Sequence, residues 1–289
     1  MVVAGGWQEY ELIDAGAGQR LERWGAWRVV RPDPQILWPA AKSASVWGQA
    51  HARYVRSSSG GGHWENRGAL PERWSIARGP LRFYIRPTDF KHMGLFPEQA
   101  ANWDWLQEKI RAAACGVRVL NLFAYTGGAT VAAAAAGAQV CHVDAAKGMV
   151  AWAKENTRLS GVDSRAVRFI ADDVLKFLRR EERRGSRYDA VIMDPPSYGR
   201  GTQGQAWKIE KMLLPLLEQC RAVLTPQPLF FLINGYTAGY SPLVLQNLLA
   251  ATLGTHLSGI ISCGEVALPV TGTGIVVPCG IYSRWERDG

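Results

Sequence analysis

Val119-Leu120-Asn121-Leu122-Phe123-Ala124-Tyr125-Thr126-Gly127-Gly128 reads as an apolar strand running into a glycine pair, and a helix of nearly pure alanine, Ala129–Ala136, begins at once. Glycines at such a turn let the backbone approach a ligand, and small side chains let the helix pack tightly on a sheet. In open α/β sheets, ligands lie beyond the carboxyl ends of the strands, which is where this turn falls. The pattern is not Gly-x-Gly-x-x-Gly, so a dinucleotide site gripping pyrophosphate is disfavoured. Phe123, Tyr125, Thr126, Gly127 and Gly128 are the first ligand-binding candidates.

Outward from this segment, strands and helices alternate. A helix over Pro97–Arg111 precedes the strand Arg118–Phe123. After the alanine helix come the strand Gln139–Val143, the helix Lys147–Leu159, the strand Val167–Ala171 and the helix Val174–Arg184. The strand Tyr188–Met193, the helix Glu210–Leu224, the strand Leu229–Ile233 and the helix Leu243–Leu253 follow. Glu265–Val270, the turn Thr271–Gly274 and Ile275–Tyr282 read as a closing hairpin. Such alternation implies an α/β fold: a doubly wound, mostly parallel, seven-stranded sheet covered on both faces. The Arg/Glu alternation from Lys176 to Arg187 reads as a solvated helix face with i,i+4 pairs.

Carboxylates stand at successive strand ends. Asp144, followed by Ala145, closes the second strand, where its two oxygens match the adjacent hydroxyls of a ribose. Asp172-Asp173 closes the third. One of them is placed to accept from an adenine amino group, and Asp173 is favoured because Val174 starts the next helix; as a plain N-cap it needs no ligand, and both roles are compatible.

Residues 1–90 differ in texture and form a small β-rich domain, leaving 91–289 for the α/β domain. Seven of the twelve tryptophans lie within the first 74 residues, and short alternating runs such as Gln8–Ile13 and Ala26–Val30 are broken by Gly and Pro. Ser57–Gly62 reads as a flexible loop. The tryptophans either furnish the core of a small domain or, with the arginines, stack bases and track phosphate. A net charge of +8 is compatible with nucleic acid without requiring it. The five dispersed cysteines fit a reducing compartment, and neither they nor the five histidines show metal-ligand spacing. No run of about 18 apolar residues is present, and Met1–Glu11 lacks a basic start and an apolar stretch. The expectation is a cytoplasmic protein with no membrane span and no metal.

Asp194-Pro195-Pro196-Ser197-Tyr198 follows the fourth strand. Two prolines hold the loop extended, supplying carbonyls and no donors, so that a carboxylate and fixed carbonyls can hold an amino group while Tyr198 offers a face to a planar ring. That suits a nucleobase swung out of its stack. Asn234, at the end of the fifth strand, is either a further polar contact or a turn residue.

Taken together, Asn121–Gly128, Asp144, Asp172-Asp173 and Asp194–Tyr198 resemble the class I S-adenosylmethionine-dependent methyltransferases, and within them the bacterial large-subunit ribosomal RNA methyltransferases. The likeness covers about 91–284. It implies S-adenosyl-L-methionine as cofactor, ribosomal RNA as partner and a nucleobase as acceptor. It also implies that Gly94–Gln99, with Phe96 and Gln99, closes over the cofactor. Methyl transfer to protein or a small molecule on the same fold is the nearest rival, since fold does not fix substrate. An RNA-binding module without turnover and a nicotinamide oxidoreductase are more distant. Cytosine-C5 members of the family carry a nucleophilic Cys after the fifth strand, where this chain reads Phe231–Tyr236 with none. Changing Cys220, Cys263 or Cys279 singly to Ser is therefore expected to leave methyl transfer intact in protein that stays folded. A covalent adduct trapped with 5-fluorocytidine RNA would show the opposite.

Overall fold

Apolar runs of four to six residues between helix signals become, in the computed structural model, the strands of one large sheet. The structure describes residues 1–57, 61–114, 116–200 and 206–288; the expected loop at Ser57–Gly62 and Cys115 fall partly or wholly outside them. The first part of the chain runs β1 (Val2–Val3), β2 (Tyr10–Gly16), β3 (Gln19–Trp24), β4 (Trp27–Pro32), α1 (Ala44–Trp47), β5 (Ala52–Arg56), β6 (Gly62–Glu65), β7 (Trp74–Arg78) and β8 (Leu81–Ile85). Next come α2 (Ala100–Ala112), β9 (Arg118–Leu122), α3 (Gly128–Ala135), β10 (Gln139–Asp144), α4 (Lys147–Leu159), β11 (Val167–Ala171) and α5 (Val174–Arg183). The rest is β12 (Ala190–Met193), β13 (Tyr198–Arg200), β14 (Ala206–Lys208), α6 (Ile209–Ala222), β15 (Phe230–Gly235), α7 (Pro242–Leu249), β16 (Ile260–Pro269) and β17 (Val276–Glu286).

Two compact units divide the chain. One holds 1–2, 102–266 and 279–289; the other holds 3–101 and 267–278. The division falls near residue 101, and the tip of the closing hairpin belongs with the N-terminal unit.

The large sheet has the order β1-β16-β17-β15-β12-β9-β10-β11. Pairings β11–β10, β10–β9, β9–β12 and β12–β15 are parallel, and β17 is antiparallel to β15. The seven expected strands are all there. An eighth, the two-residue β1, extends the edge beside β16 and corrects the count. Two valines carry no readable period, so no pattern announced it. On one face Leu120, Leu122, Val191, Met193, Phe231 and Ile233 form a buried cluster with Phe177 of α5 and with Leu213, Leu216, Leu217 and Cys220 of α6. Each such side chain contributes about 1.5–3 kcal/mol by leaving water.

Helix α5 bears its exposed charges at Lys176, Arg179, Glu182 and Arg183, and corrects the solvated-face reading at one position. Glu181 is fully buried and accepts hydrogen bonds from Tyr188 (2.7 Å), Arg184 (3.1 Å) and Arg168 (3.3 Å). It lies on the same stripe as buried Val174, Phe177 and Leu178, at the i, i+3, i+4, i+7 spacing of an inward face.

In the N-terminal unit, β2-β3-β4-β5-β6 form a five-stranded sheet and β7–β8 a two-stranded ribbon. Its tryptophans serve as core and as pins. Trp24 is fully buried with Tyr10 edge-on at 4.7 Å, and the indole N–H groups of Trp47, Trp64 and Trp74 donate to Asp14, the Thr88 carbonyl and the Trp24 carbonyl. Beneath them Arg31 makes two bonds to Glu22, at 2.5 and 2.8 Å, and the Tyr10 hydroxyl donates to Glu22 at 2.8 Å.

Burial alone would raise the Glu22 carboxyl, but the Arg31 charge and the bonds from Arg31 and Tyr10 outweigh it and hold the group below its ordinary value. A carboxyl depressed by folding stabilises the fold above its unfolded value, and that contribution is lost as pH falls through the lower folded value. The melting temperature is therefore expected to fall as pH drops below about 4.5. E22Q should flatten that limb and cost about 3–5 kcal/mol at neutral pH, because Arg31 then stays buried without its counter-charge. Thermal melts of both proteins across that range check this; parallel profiles would refute it.

Candidate active site

Parallel pairing of β9 with β10 and of β10 with β11 sets the three strand ends side by side, with Leu122 opposite Val143 and Asp144 opposite Ala171. Beyond β9 the backbone turns left-handed three times, at Phe123 (φ 52°), Tyr125 (φ 50°) and Gly127 (φ 86°). For residues with a Cβ this region costs roughly 1–3 kcal/mol each and persists only where the surroundings impose it. Here they do. Asp144 Oδ2 accepts from the Tyr125 N–H (2.9 Å), Asn156 Nδ2 donates to the Thr126 carbonyl (2.8 Å), and the Ala124 N–H donates to the Val143 carbonyl (3.1 Å). A Cβ on Gly127 would stand 2.9 Å from that of Ala153 on α4, so helix and loop can meet this closely only at glycine. Gly128 then opens α3.

A polar column supports the loop from below. Asn121 Nδ2 donates to Thr130 Oγ1 (2.9 Å), which shares a hydrogen bond of 2.9 Å with His142 Nδ1. Burial lowers the His142 imidazole to about 3, so it stays neutral at physiological pH.

Asp144 turns both oxygens to backbone: Oδ1 accepts from the Ala146 N–H (2.8 Å), across Ala145. Burial raises its carboxyl, and the two N–H donors oppose that rise. Each oxygen of a carboxylate has a second lone pair, so the group remains able to accept from a diol while holding the turn. At the third strand end Asp173 caps α5, accepting from the Lys176 N–H (2.9 Å), and Asp172 pairs with Arg180 and accepts from the Asp173 N–H (2.8 Å). Phe96 and Gln99 belong to the N-terminal unit, where Phe96 precedes the short turn Pro97–Gln99 and Gln99 is buried.

The Asp194–Tyr198 segment is seated beside the loop. The Asp194 N–H lies 3.4 Å from the Leu122 carbonyl, and Pro195 is buried. The carbonyl of Pro196 accepts from Trp207 Nε1 (2.5 Å), and the Trp207 ring meets Phe123 at 5.0 Å. Ser197 Oγ and Thr237 Oγ1 are 2.7 Å apart, and the Ser197 carbonyl accepts from the Ile209 N–H (3.2 Å). Tyr198 is 56% exposed. Asn234 is neither a turn residue nor an open contact: it is buried within β15, its oxygen accepting from Asn102 (2.8 Å), whose own oxygen accepts from Arg284 (2.6 Å).

Asn156 and Trp207 were not among the expected residues. An Asn within a helix and a Trp beyond the Asp-Pro-Pro run carry no signal of their own; pairing decides their roles. Cys220 is fully buried and its thiol is pushed up by burial; burial likewise raises Cys141, to about 11. Neither supplies a thiolate near neutral pH. Among the described residues no helix is long and apolar enough to cross a membrane, and no His, Cys, Asp and Glu group has the arrangement of a metal site.

Residues 35–238 match the profile of the S-adenosylmethionine-dependent methyltransferase family. The crystal structure of the SAM-dependent methyltransferase from Agrobacterium tumefaciens is 39% identical, with a TM-score of 0.94 over 99% of this chain and 93% of that one. The ribosomal RNA large subunit methyltransferase K/L of Chromohalobacter salexigens is 32% identical over 195 residues, 67% of this chain and 25% of that protein. Methyltransferase K of Neisseria meningitidis is 32% identical over 136 residues, 47% of this chain and 37% of that protein. This chain thus matches well under half the length of these two curated relatives.

With Asp144 proposed to hold the ribose, D144A is expected to weaken S-adenosylmethionine binding by about 1.5–3 kcal/mol, the range for bonds to a charged group. Titration calorimetry on folded protein decides it, and unchanged affinity would end the assignment.

Proposed function

We propose that this chain, which belongs to the S-adenosylmethionine-dependent methyltransferases, methylates a nucleobase of RNA, with large-subunit ribosomal RNA as its substrate. The observation that carries the reading is the seating of Asp194-Pro195-Pro196-Ser197-Tyr198 beside the first-strand loop, directly through the Leu122 carbonyl and indirectly through Trp207, which bonds to Pro196 and packs on Phe123. Names of relatives such as the Chromohalobacter enzyme support the choice of RNA.

S-adenosylmethionine, when bound, supplies an already activated methyl group on a sulfonium, so the protein's task is alignment. Phe123–Gly128 and Asp144 hold the cofactor, Asp144 by the ribose diol; Asp173 or Asp172 receives the adenine amino group. Asp194 and the Pro195 carbonyl hold the acceptor base by its donor groups while Tyr198 stacks on its ring. No thiolate is used, so the acceptor is a nitrogen rather than carbon-5 of a pyrimidine. The substrate is met in the cytoplasm, where ribosomal RNA is found.

D194A should leave cofactor affinity nearly unchanged and lower kcat/KM, as befits an interaction made with the reacting base. Y198A should cost about 1–3 kcal/mol of RNA binding through lost stacking, and Y198F less. The discriminating measurement is single-turnover transfer of labelled methyl to ribosomal RNA, ribosomal subunits and total protein in parallel. Label in protein alone, or D194A as fast as wild type, would overturn the proposal.

A further inference from the structure

We propose that Trp207 is a positioning residue that fixes the acceptor loop and selects which of its carbonyls meets the substrate; its catalytic consequence rests on the function proposed above. Three carbonyls follow one another at Asp194, Pro195 and Pro196, and the two prolines have no N–H to turn against them. The carbonyl of Pro196 is already engaged by the indole N–H of Trp207 at 2.5 Å. Of the two proline carbonyls, the one left to meet the substrate is that of buried Pro195, one residue nearer β12.

The same indole does a second thing. Its ring meets Phe123 at 5.0 Å, and Phe123 is one of the left-handed residues of the first-strand loop. One side chain thus bonds to the acceptor loop and packs on the loop assigned to the cofactor. The β13–β14 pairing makes this possible: Gly199 lies opposite Trp207, and Tyr198 lies opposite Lys208. Side chains alternate between the two faces of a strand. Trp207 therefore turns to the face opposite Tyr198 and Lys208, which are both exposed. Anchoring one face of this hairpin is what holds the ring of Tyr198 outward at a fixed height. A second tie, Ser197 to Thr237 at 2.7 Å, steadies the far side of the loop.

W207F keeps a ring against Phe123 and removes only the N–H; W207A removes both. Hydrogen–deuterium exchange on the purified protein, with no acceptor needed, should show the Ser197–Gly199 amides exchanging at least about fivefold faster in W207F, while those of Leu120–Leu122 stay unchanged. In single-turnover transfer, W207F should lower the rate about tenfold at saturating RNA with cofactor affinity within about twofold of wild type. W207A should lose rate and cofactor affinity together. A W207F protein with wild-type exchange and wild-type rate would overturn the proposal, as would one whose main loss is cofactor affinity. If wild-type protein methylates no RNA, the functional reading fails, and the exchange measurement still judges the anchor.

Discussion

The left-handed path from Phe123 to Gly127 is the constraint on which the site depends. An extended continuation of β9 would have carried the chain away from the sheet; instead two residues with side chains sit in a disfavoured region within a single turn. The energy is offset by bonds that exist only in that path: the Asp144 carboxylate to the Tyr125 N–H and the Asn156 amide to the Thr126 carbonyl. Once the loop is set, the Phe123 ring stands where Trp207 meets it, and the Leu122 carbonyl lies beside Asp194. The two loops of the site are therefore one framework, and an error in the first would move the second.

Much of that framework is polar and buried, which fixes geometry at some cost in desolvation. Asn121, Thr130 and His142 form one column, Arg284, Asn102 and Asn234 another, and Glu181 gathers Tyr188 and two arginines. An apolar side chain packs acceptably in several orientations, whereas a buried amide is tolerated in the one that meets its partners. Arg284 illustrates the difference: it lies over the rings of Trp105 and Tyr282, 4.5 Å from each centroid, and donates to Asn102, so that α2 and β17 take a single register against β15. Burial lowers its guanidinium from the ordinary value.

The sequence discloses what depends on period and punctuation. Strands Gln139–Asp144 and Val167–Ala171 and helix Lys147–Leu159 lie almost where their apolar patterns put them, since each buries a continuous face. The placement of Asp144 and Asp194 at strand ends was legible because strand ends in a parallel sheet share one edge. Residues whose roles come from pairing across long separations were not. Asn156 is thirty positions from Thr126, and Trp207 eleven from Pro196, and no local pattern distinguishes either from its neighbours. The packing of Asn234 was hidden for the same reason: Asn102, 132 positions away, holds its oxygen. Glu181 was different. Its place on the Val174–Phe177–Leu178 stripe was readable from spacing alone, and the density of charge around it concealed the stripe.

On the proposed reading, the chemistry of the Asp194–Tyr198 loop also limits what the enzyme can hold. Asp194 and its prolines present a carboxylate and carbonyls, which are acceptors only, and the prolines have removed the backbone donors that would otherwise lie among them. On the proposed reading, a base edge that offers N–H donors is complementary to such a surface, and an edge that offers only oxygens and bare nitrogens opposes it. A site built to receive donors rejects a ring lacking them far more strongly than an apolar pocket rejects a missing methyl group, because its own buried acceptors are left unpaired. Discrimination among bases would then reside in two or three oxygens held by a rigid loop. On the same reading, the general attraction for RNA would come from lysines and arginines elsewhere and would weaken with salt. Affinity and selectivity would thereby be carried by different parts of the surface, and the loop would be free to be rigid because it need not supply the bulk of the binding.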